Sequence, residues 1–220
     1  MNDSWIDISV PVREGMPQWP GDPGLTFVRV MDQKNGDVCT LTRTTMGAHT
    51  GTHMDAPLHF VRDSPTIEQM PIEATVGPAR VIRIADPVAI RRDELLPHAI
   101  QSRERILFRT ANSDKDWGNM PFNEDFVFIA RDAAEHLAAS GVRSVGVDYL
   151  SVGGFRQDAV ETHVALLGAG IWVMEGLVLA GIEPGNYELV CLPLKWVNAE
   201  GAPARAILRR VQDRRVENPR

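Results

Sequence analysis

Between positions 49 and 59 the chain reads His49-Thr50-Gly51-Thr52-His53-Met54-Asp55-Ala56-Pro57-Leu58-His59, which places three of its six histidines and one aspartate in eleven residues. Imidazole nitrogens and carboxylate oxygens are the donors that zinc and similar divalent metals accept. All four candidate ligands stand at odd positions, so an extended chain would turn them to one face. A helix would pair His49 with His53 but rotate Asp55 away, and Gly51 and Pro57 both oppose helix. A flat strand has the opposite fault: residues four apart lie roughly 13 Å apart, too far for two bonds of about 2.1 Å to one ion. Gly51 permits the bend that would bring His49 back toward His53. A lone strand histidine is ordinarily a hydrogen-bonded or surface residue. This cluster, flanked by Leu58 and Phe60, would be costly to bury without a cation to neutralise it. The segment is therefore read as a bent, extended metal-binding stretch.

Two residues of the second half could complete such a cluster. Glu175 ends the apolar run Ile171-Trp172-Val173-Met174, and His163 lies in a helical pattern over 158–167. Taken singly, each has an ordinary explanation as a strand-end acid or a surface histidine turned to water. Together they supply the missing ligands if the fold brings that helix and strand end beside the first segment.

The elements that must position these groups are strands mixed with a few helices. Strands are expected over 5–10, 25–30, 38–46, 79–84, 105–109, 126–129, 144–149 and 171–175. A terminal hairpin over 187–196 and 206–211 is expected to turn through Asn198-Ala199-Glu200-Gly201. The proline- and glycine-rich 11–23 reads as loop, and its Trp19 suits either core packing or a ligand wall. A short helix begins near Asp93. Asp132 with Glu135 suggests a capping box for a helix that ends at Gly141. His98 and His136 read as surface residues, and the charged 213–220 as a frayed tail. No strict strand–helix–strand alternation and no repeat is apparent.

At 220 residues and 24.3 kDa the length suits one domain. A net charge of -6 and a pI near 5.5 argue against a nucleic-acid or acidic-membrane partner. The two cysteines have no metal or disulfide spacing: Cys191 reads as a core residue, and Cys39 as another or as a pocket residue. The first residues carry no basic-then-apolar signal pattern, so the cytoplasm is expected. The apolar stretch 164–174 is too short to span a bilayer. There is no G-x-S-x-G elbow, and Gly168-Ala169-Gly170 lacks the third glycine of a dinucleotide fingerprint.

The chain resembles the cyclase-like metal-dependent hydrolases, and among them the bacterial kynurenine formamidases. The likeness rests on Asp7-Ile8-Ser9, Trp19-Pro20-Gly21-Asp22, the histidine motif through Phe60, Gly146-Val147-Asp148, the His163 to Glu175 spacing, Glu175-Gly176-Leu177, Tyr187-Glu188-Leu189 with Leu192-Pro193-Leu194, and Ala202-Pro203-Ala204-Arg205-Ala206. It implies an α/β fold of the swivelling β/β/α type, with a mixed, barrel-like sheet and a few flanking helices. By the same resemblance His49, His53 and Asp55 hold one divalent ion, and Asp55 reaches a second that His163 and Glu175 complete. The ion would be zinc, with manganese as the alternative, and one or two per subunit. His59 would be the general acid/base, while Trp19 and Phe60 could wall an aromatic pocket. The implied reaction is hydrolysis of an aromatic amide, N-formyl-kynurenine, by a homodimer or higher homo-oligomer. The segment 148–155 follows the broader family more than its formamidases, so a lactam or lactone, as for isatin hydrolases, is the alternative substrate. A metal-dependent binding module is the non-enzymatic alternative. Structural zinc sites are commonly closed and cysteine-rich, and this cluster has no cysteine and an acid/base to spare.

Overall fold

The structure, a computed structural model, describes residues 4–211; the tail expected over 213–220 lies outside the described residues. The chain opens with β1 (Ile6–Asp7), the hairpin strands β2 (Thr26–Met31) and β3 (Leu41–Thr45), and the short β4 (His53–Asp55). Then come β5 (Val76–Arg83), β6 (Ala89–Ile90), α1 (Arg92–Leu95), β7 (Arg105–Arg109), β8 (Phe128–Ile129) and α2 (Arg131–Ser140). The last third contains β9 (Ser144–Val147), α3 (Ala159–Gly168), β10 (Trp172–Glu175), β11 (Gly185–Pro193) and β12 (Gly201–Arg210).

An eight-stranded sheet runs β1-β12-β11-β5-β7-β9-β10-β4, and β4 also pairs with the start of β12. That second pairing closes seven of the strands into a barrel, with β1 left outside on the other half of β12. The barrel-like mixed sheet with few helices is therefore as expected. The missing alternation is not. Parallel β5, β7, β9 and β10 are joined through α1, α2 and α3. The small β6–β8 pair and several 3₁₀ turns interrupt these crossovers and obscure the pattern in sequence.

Side chains alternate between two cores, as the two-residue period of a strand requires. Val81, Leu107, Met174 and Met54 join Leu189 and Leu208 in one cluster that fills the barrel. Ile82, Ile106, Phe108, Val145 and Val173 face the other way, onto Leu137 of α2 and Leu166 and Leu167 of α3. A third cluster, with Trp117, Phe126, Phe128 and Tyr149, covers one end. At the end of β9 the buried Asp148 accepts from Thr110 N at 2.7 Å, Thr110 Oγ1 at 2.7 Å and Ser113 Oγ at 2.5 Å. The Gly146-Val147-Asp148 motif thus pins the loop after β7.

Several local expectations are corrected. Helix α2 starts two residues early: Ala130 is its N-cap without a side-chain bond, and Asp132 reaches across to Arg92 N instead, so no capping box forms. Gly201 is the first residue of β12, paired with Asp55, and is not a turn residue. The first strand is only two residues long because the chain changes partner, with Ser9 bridging to Leu177. Cys39 is exposed, not in the core or a pocket, whereas Cys191 is buried as expected. No helix among the described residues is long and apolar enough to cross a membrane.

Candidate metal centre and its pocket

Only His53, Met54 and Asp55 of the histidine segment are strand. Met54 points into the barrel, so His53 and Asp55 point outward, toward the helices. Strand β10 lies antiparallel beside them with Glu175 opposite His53 and Val173 opposite Asp55, and directly opposed residues share a face. Glu175 therefore joins the cluster by register. Helix α3 packs over the same face and buries His163. His49 and His59 are not on the strand, contrary to the extended reading. His49 sits in a turn and returns through Gly51, whose φ is +70°, and His59 ends a 3₁₀ turn over Pro57–His59. The expected bend at Gly51 is present, and the rings of His49 and His59 stack at 4.1 Å.

The fold brings all six expected groups together. His49 Nδ1 donates to Asp55 Oδ1 at 2.9 Å. His53 Nε2 lies 3.2 Å from Glu175 Oε2 and 3.4 Å from Asp55 Oδ1. His163 Nε2 lies 3.3 Å from Glu175 Oε1 and 3.9 Å from Asp55 Oδ2. The far sides of two rings are tied to the backbone: His53 Nδ1 donates to Gly51 O at 2.9 Å, and His163 Nδ1 donates to Ala159 O at 2.6 Å. Such bonds fix the tautomer and leave Nε2 free to act as a ligand. Two triads are compact enough to grip an ion, His53–Asp55–Glu175 and His49–Asp55–His59. The second places His59 nearer the ligand set than an acid/base that stands apart.

The electrostatics of the cluster point to a missing positive charge. Asp55 and Glu175 are buried side by side with no Lys or Arg partner among the described residues. Burial drives both carboxyls up, and Asp55 adds to that for Glu175. The neighbouring histidines more than reverse it, holding Asp55 well below the carboxylate range and lowering Glu175. The histidines respond in kind. Burial opposes their charging, yet the carboxylates raise His49 and His163 and lift His53 to about 10. His59 behaves differently: burial lowers it, which leaves a neutral imidazole. His53 Nε2, Asp55 Oδ2 and His49 Nε2 remain buried without a hydrogen-bond partner. Protonated imidazoles here do what a divalent cation would do better, so the donor set fits one.

A cavity of about 360 Å³ opens onto the cluster. Trp19 and Phe60 both line it, together with Asp22, Leu150 and Ser151. Phe60 also stacks on His163 at 4.2 Å, and Trp19 packs edge-on against Phe122 and Phe155 at 5.6 and 5.4 Å. Packing and wall are thus the same role for these rings. The loop after Tyr149 does reach the site, since Val152 N donates to Glu175 Oε1 at 2.6 Å. Sequence reasoning assigned no role to Asp22, Ser151 or Glu200; Glu200 Oε1 lies 3.4 Å from His49 Nε2. The turn residues around Asp22 carry a signal, whereas Glu200 arrives only through the pairing of β12 with β4.

Comparison with known proteins agrees with this fold. Residues 6–153 match the family described as putative cyclase. The chain is 37% identical over 212 residues to a kynurenine formamidase of Geobacillus thermodenitrificans, covering 96% of this chain and 100% of that protein. A solved structure described as a potential metal-dependent hydrolase with cyclase activity superposes with a TM-score of 0.84 at 34% identity, over 95% of this chain and 99% of the other. Isatin hydrolase A of Labrenzia aggregata, solved with benzyl benzoate, shares the fold, with a TM-score of 0.79 at 22% identity over 93% of each chain. With that match over residues 6–153 and 37% identity over nearly the whole chain, the chain belongs to the cyclase family, alongside the kynurenine formamidases.

Proposed function

We propose that this chain is an arylformamidase, a hydrolase of a non-peptide C–N bond that converts N-formyl-kynurenine to kynurenine and formate with a divalent cation. The observation that carries the reading is the buried Asp55–Glu175 pair, ringed by imidazoles and open on one side to a cavity walled by Trp19 and Phe60. His49, His53, Asp55, His163 and Glu175 would hold the cation. Zinc suits this mixed imidazole–carboxylate set, with manganese the alternative, and Asp55, which lies beside His49 and His53 through one oxygen and nearest His163 through the other, would let the set hold one ion or two. When bound, the cation supplies positive charge that acidifies water and stabilises negative charge growing on a carbonyl oxygen.

The chain's own groups supply the rest. His59, kept neutral by burial, accepts a proton from the attacking water. The water oxygen adds to the formyl carbon, the C–N bond breaks, and His59 returns the proton to the aniline nitrogen. An aniline leaves more readily than an alkylamine, so no covalent intermediate is needed. Trp19 and Phe60 hold the aryl ring by stacking.

The active form is a homo-oligomer in this reading. The β2–β3 hairpin stands apart from the barrel as its own two-stranded sheet and exposes Phe27, Val28, Val30 and Leu41. An isolated hairpin is marginal in water, and a second copy of the chain would cover it; sedimentation as a monomer at micromolar concentration would refute this. The activity itself is tested by steady-state kinetics of the metal-loaded protein on N-formyl-kynurenine, isatin and an aryl lactone. The formamide should have the highest kcat/KM. If isatin or the lactone exceeds it, the formamidase reading fails.

A further inference from the structure

The cavity beside the metal centre contains one acid that the reaction does not use. Trp19-Pro20-Gly21-Asp22 forms a tight turn, with Asp22 N donating to Trp19 O at 3.0 Å and Gly21 at φ +98°. Proline second and a left-handed glycine third are the residues a type II turn requires. A turn of this kind sets its first and fourth residues side by side, and both Trp19 and Asp22 line the cavity. Edge contacts to Phe122 and Phe155 hold the Trp19 ring. Asp22 is half-buried, and its carboxylate has no hydrogen bond or ion pair among the described residues. The other carboxylate lining the cavity, Glu175, is engaged by His53, His163 and Val152 N. Among the described residues, no Lys or Arg lines the cavity.

We propose that Asp22 is a specificity-determining residue that, with the face of Trp19, receives an ammonium group on the substrate's side chain. An indole face beside a carboxylate is a chemistry suited to an alkylammonium: the ring quadrupole and the charge attract it from two sides. A carboxylate on the same tail meets no cationic side chain among the described residues that line the cavity. The cavity therefore selects aryl formamides that carry an amine over those that carry only an acid or a neutral tail. This rests on the arylformamidase reading, because it places the aryl ring between Trp19 and Phe60.

The test uses a pair of substrates that differ by one group, N-formyl-kynurenine and its analogue lacking the α-amine. Wild-type protein should prefer the amine-bearing compound by about 10- to 100-fold in kcat/KM, the range of a hydrogen bond to a charged group. Asp22→Asn should bring that ratio to about one without lowering bound metal, and Asp22→Glu should keep part of it. An unchanged ratio in Asp22→Asn, or a loss shared equally by both substrates, overturns the proposal. Calorimetric binding of kynurenine and its deaminated analogue reads the same preference without turnover. If the wild type cleaves neither formamide, the arylformamidase reading fails, and this proposal then stands or falls on the binding ratio alone.

Discussion

Gly201→Ala adds a single methyl group directly beneath the metal centre. Gly201 opens β12 opposite Asp55, and a Cβ built there would lie 2.8 Å from His49 Cε1, 2.8 Å from Met54 O and 3.3 Å from His49 Nδ1. Carbon contacts normally settle at about 3.5 Å or more, so the His49 ring must move by roughly 0.7 Å on that ground alone. The backbone carbonyl, held in the β4–β12 pairing, cannot yield easily, so the ring does. Its bond to Asp55 Oδ1, now 2.9 Å, is lost or bent. Misplacing a ligand or orienting group on this scale costs about 10- to 100-fold in metal affinity and up to about 100-fold in turnover. Overpacking costs about 1–3 kcal/mol in stability. The assay is competition between the protein and a fluorescent chelator, run beside thermal melts of the metal-free form. Gly168→Ala is the control, because a Cβ there meets nothing within 4 Å. If Gly201→Ala binds metal within twofold of wild type and melts normally, the steric argument is wrong.

His59→Ala should keep most of its metal and lose roughly 100-fold or more in turnover; elemental analysis showing a metal-free variant would make His59 a ligand, which the His49–Asp55–His59 triad allows for. His163→Ala and Glu175→Ala should lower the stoichiometry from about two ions to about one while the ion held by His49, His53 and Asp55 remains, and a wild type that never binds more than one ion in excess metal would refute the two-ion reading. Metal binding should release protons. His53 is raised to about 10, and His49 and His163 are raised too, so in the cation-free chain they carry protons above the ordinary histidine value of 6.5, and a cation must displace these. Affinity should therefore fall as pH drops from about 10, by roughly tenfold per pH unit for each proton displaced. Calorimetry at pH 8 in two buffers of different ionisation enthalpy measures that release, and none would contradict the assignment. His59, lowered by burial, should contribute nothing in this window.

The sequence by itself determined the donor inventory. Ligand types crowded between His49 and His59 need a cation wherever they are buried, and Gly51 provides the bend that any such arrangement requires. The parity of the two strands was legible as well: apolar Met54 between His53 and Asp55, and Val173 and Glu175 two apart, each describe a face. The Trp19–Asp22 turn is chemistry carried by four consecutive residues, and it forms locally. Other features depended on partners far along the chain. Asp132 has the residues of a capping box, but its carboxylate finds Arg92 N, forty positions away, and the helix begins without it. Gly201 reads as a turn residue until β12 is laid against β4.

Only the tertiary structure decided that Glu175 faces His53 and not water. A one-residue slip in the β4–β10 register would turn Glu175 away from the cluster, and nothing local to either strand forbids it. The register is set by burial on both faces at once, with Met54 and Met174 inside the barrel and Val173 under α3. The same packing turns His163 of α3 onto that face, where its Nε2 meets the two carboxylates. A sequence can specify the charges that will need one another; barrel closure and helix packing settle the distances at which they meet.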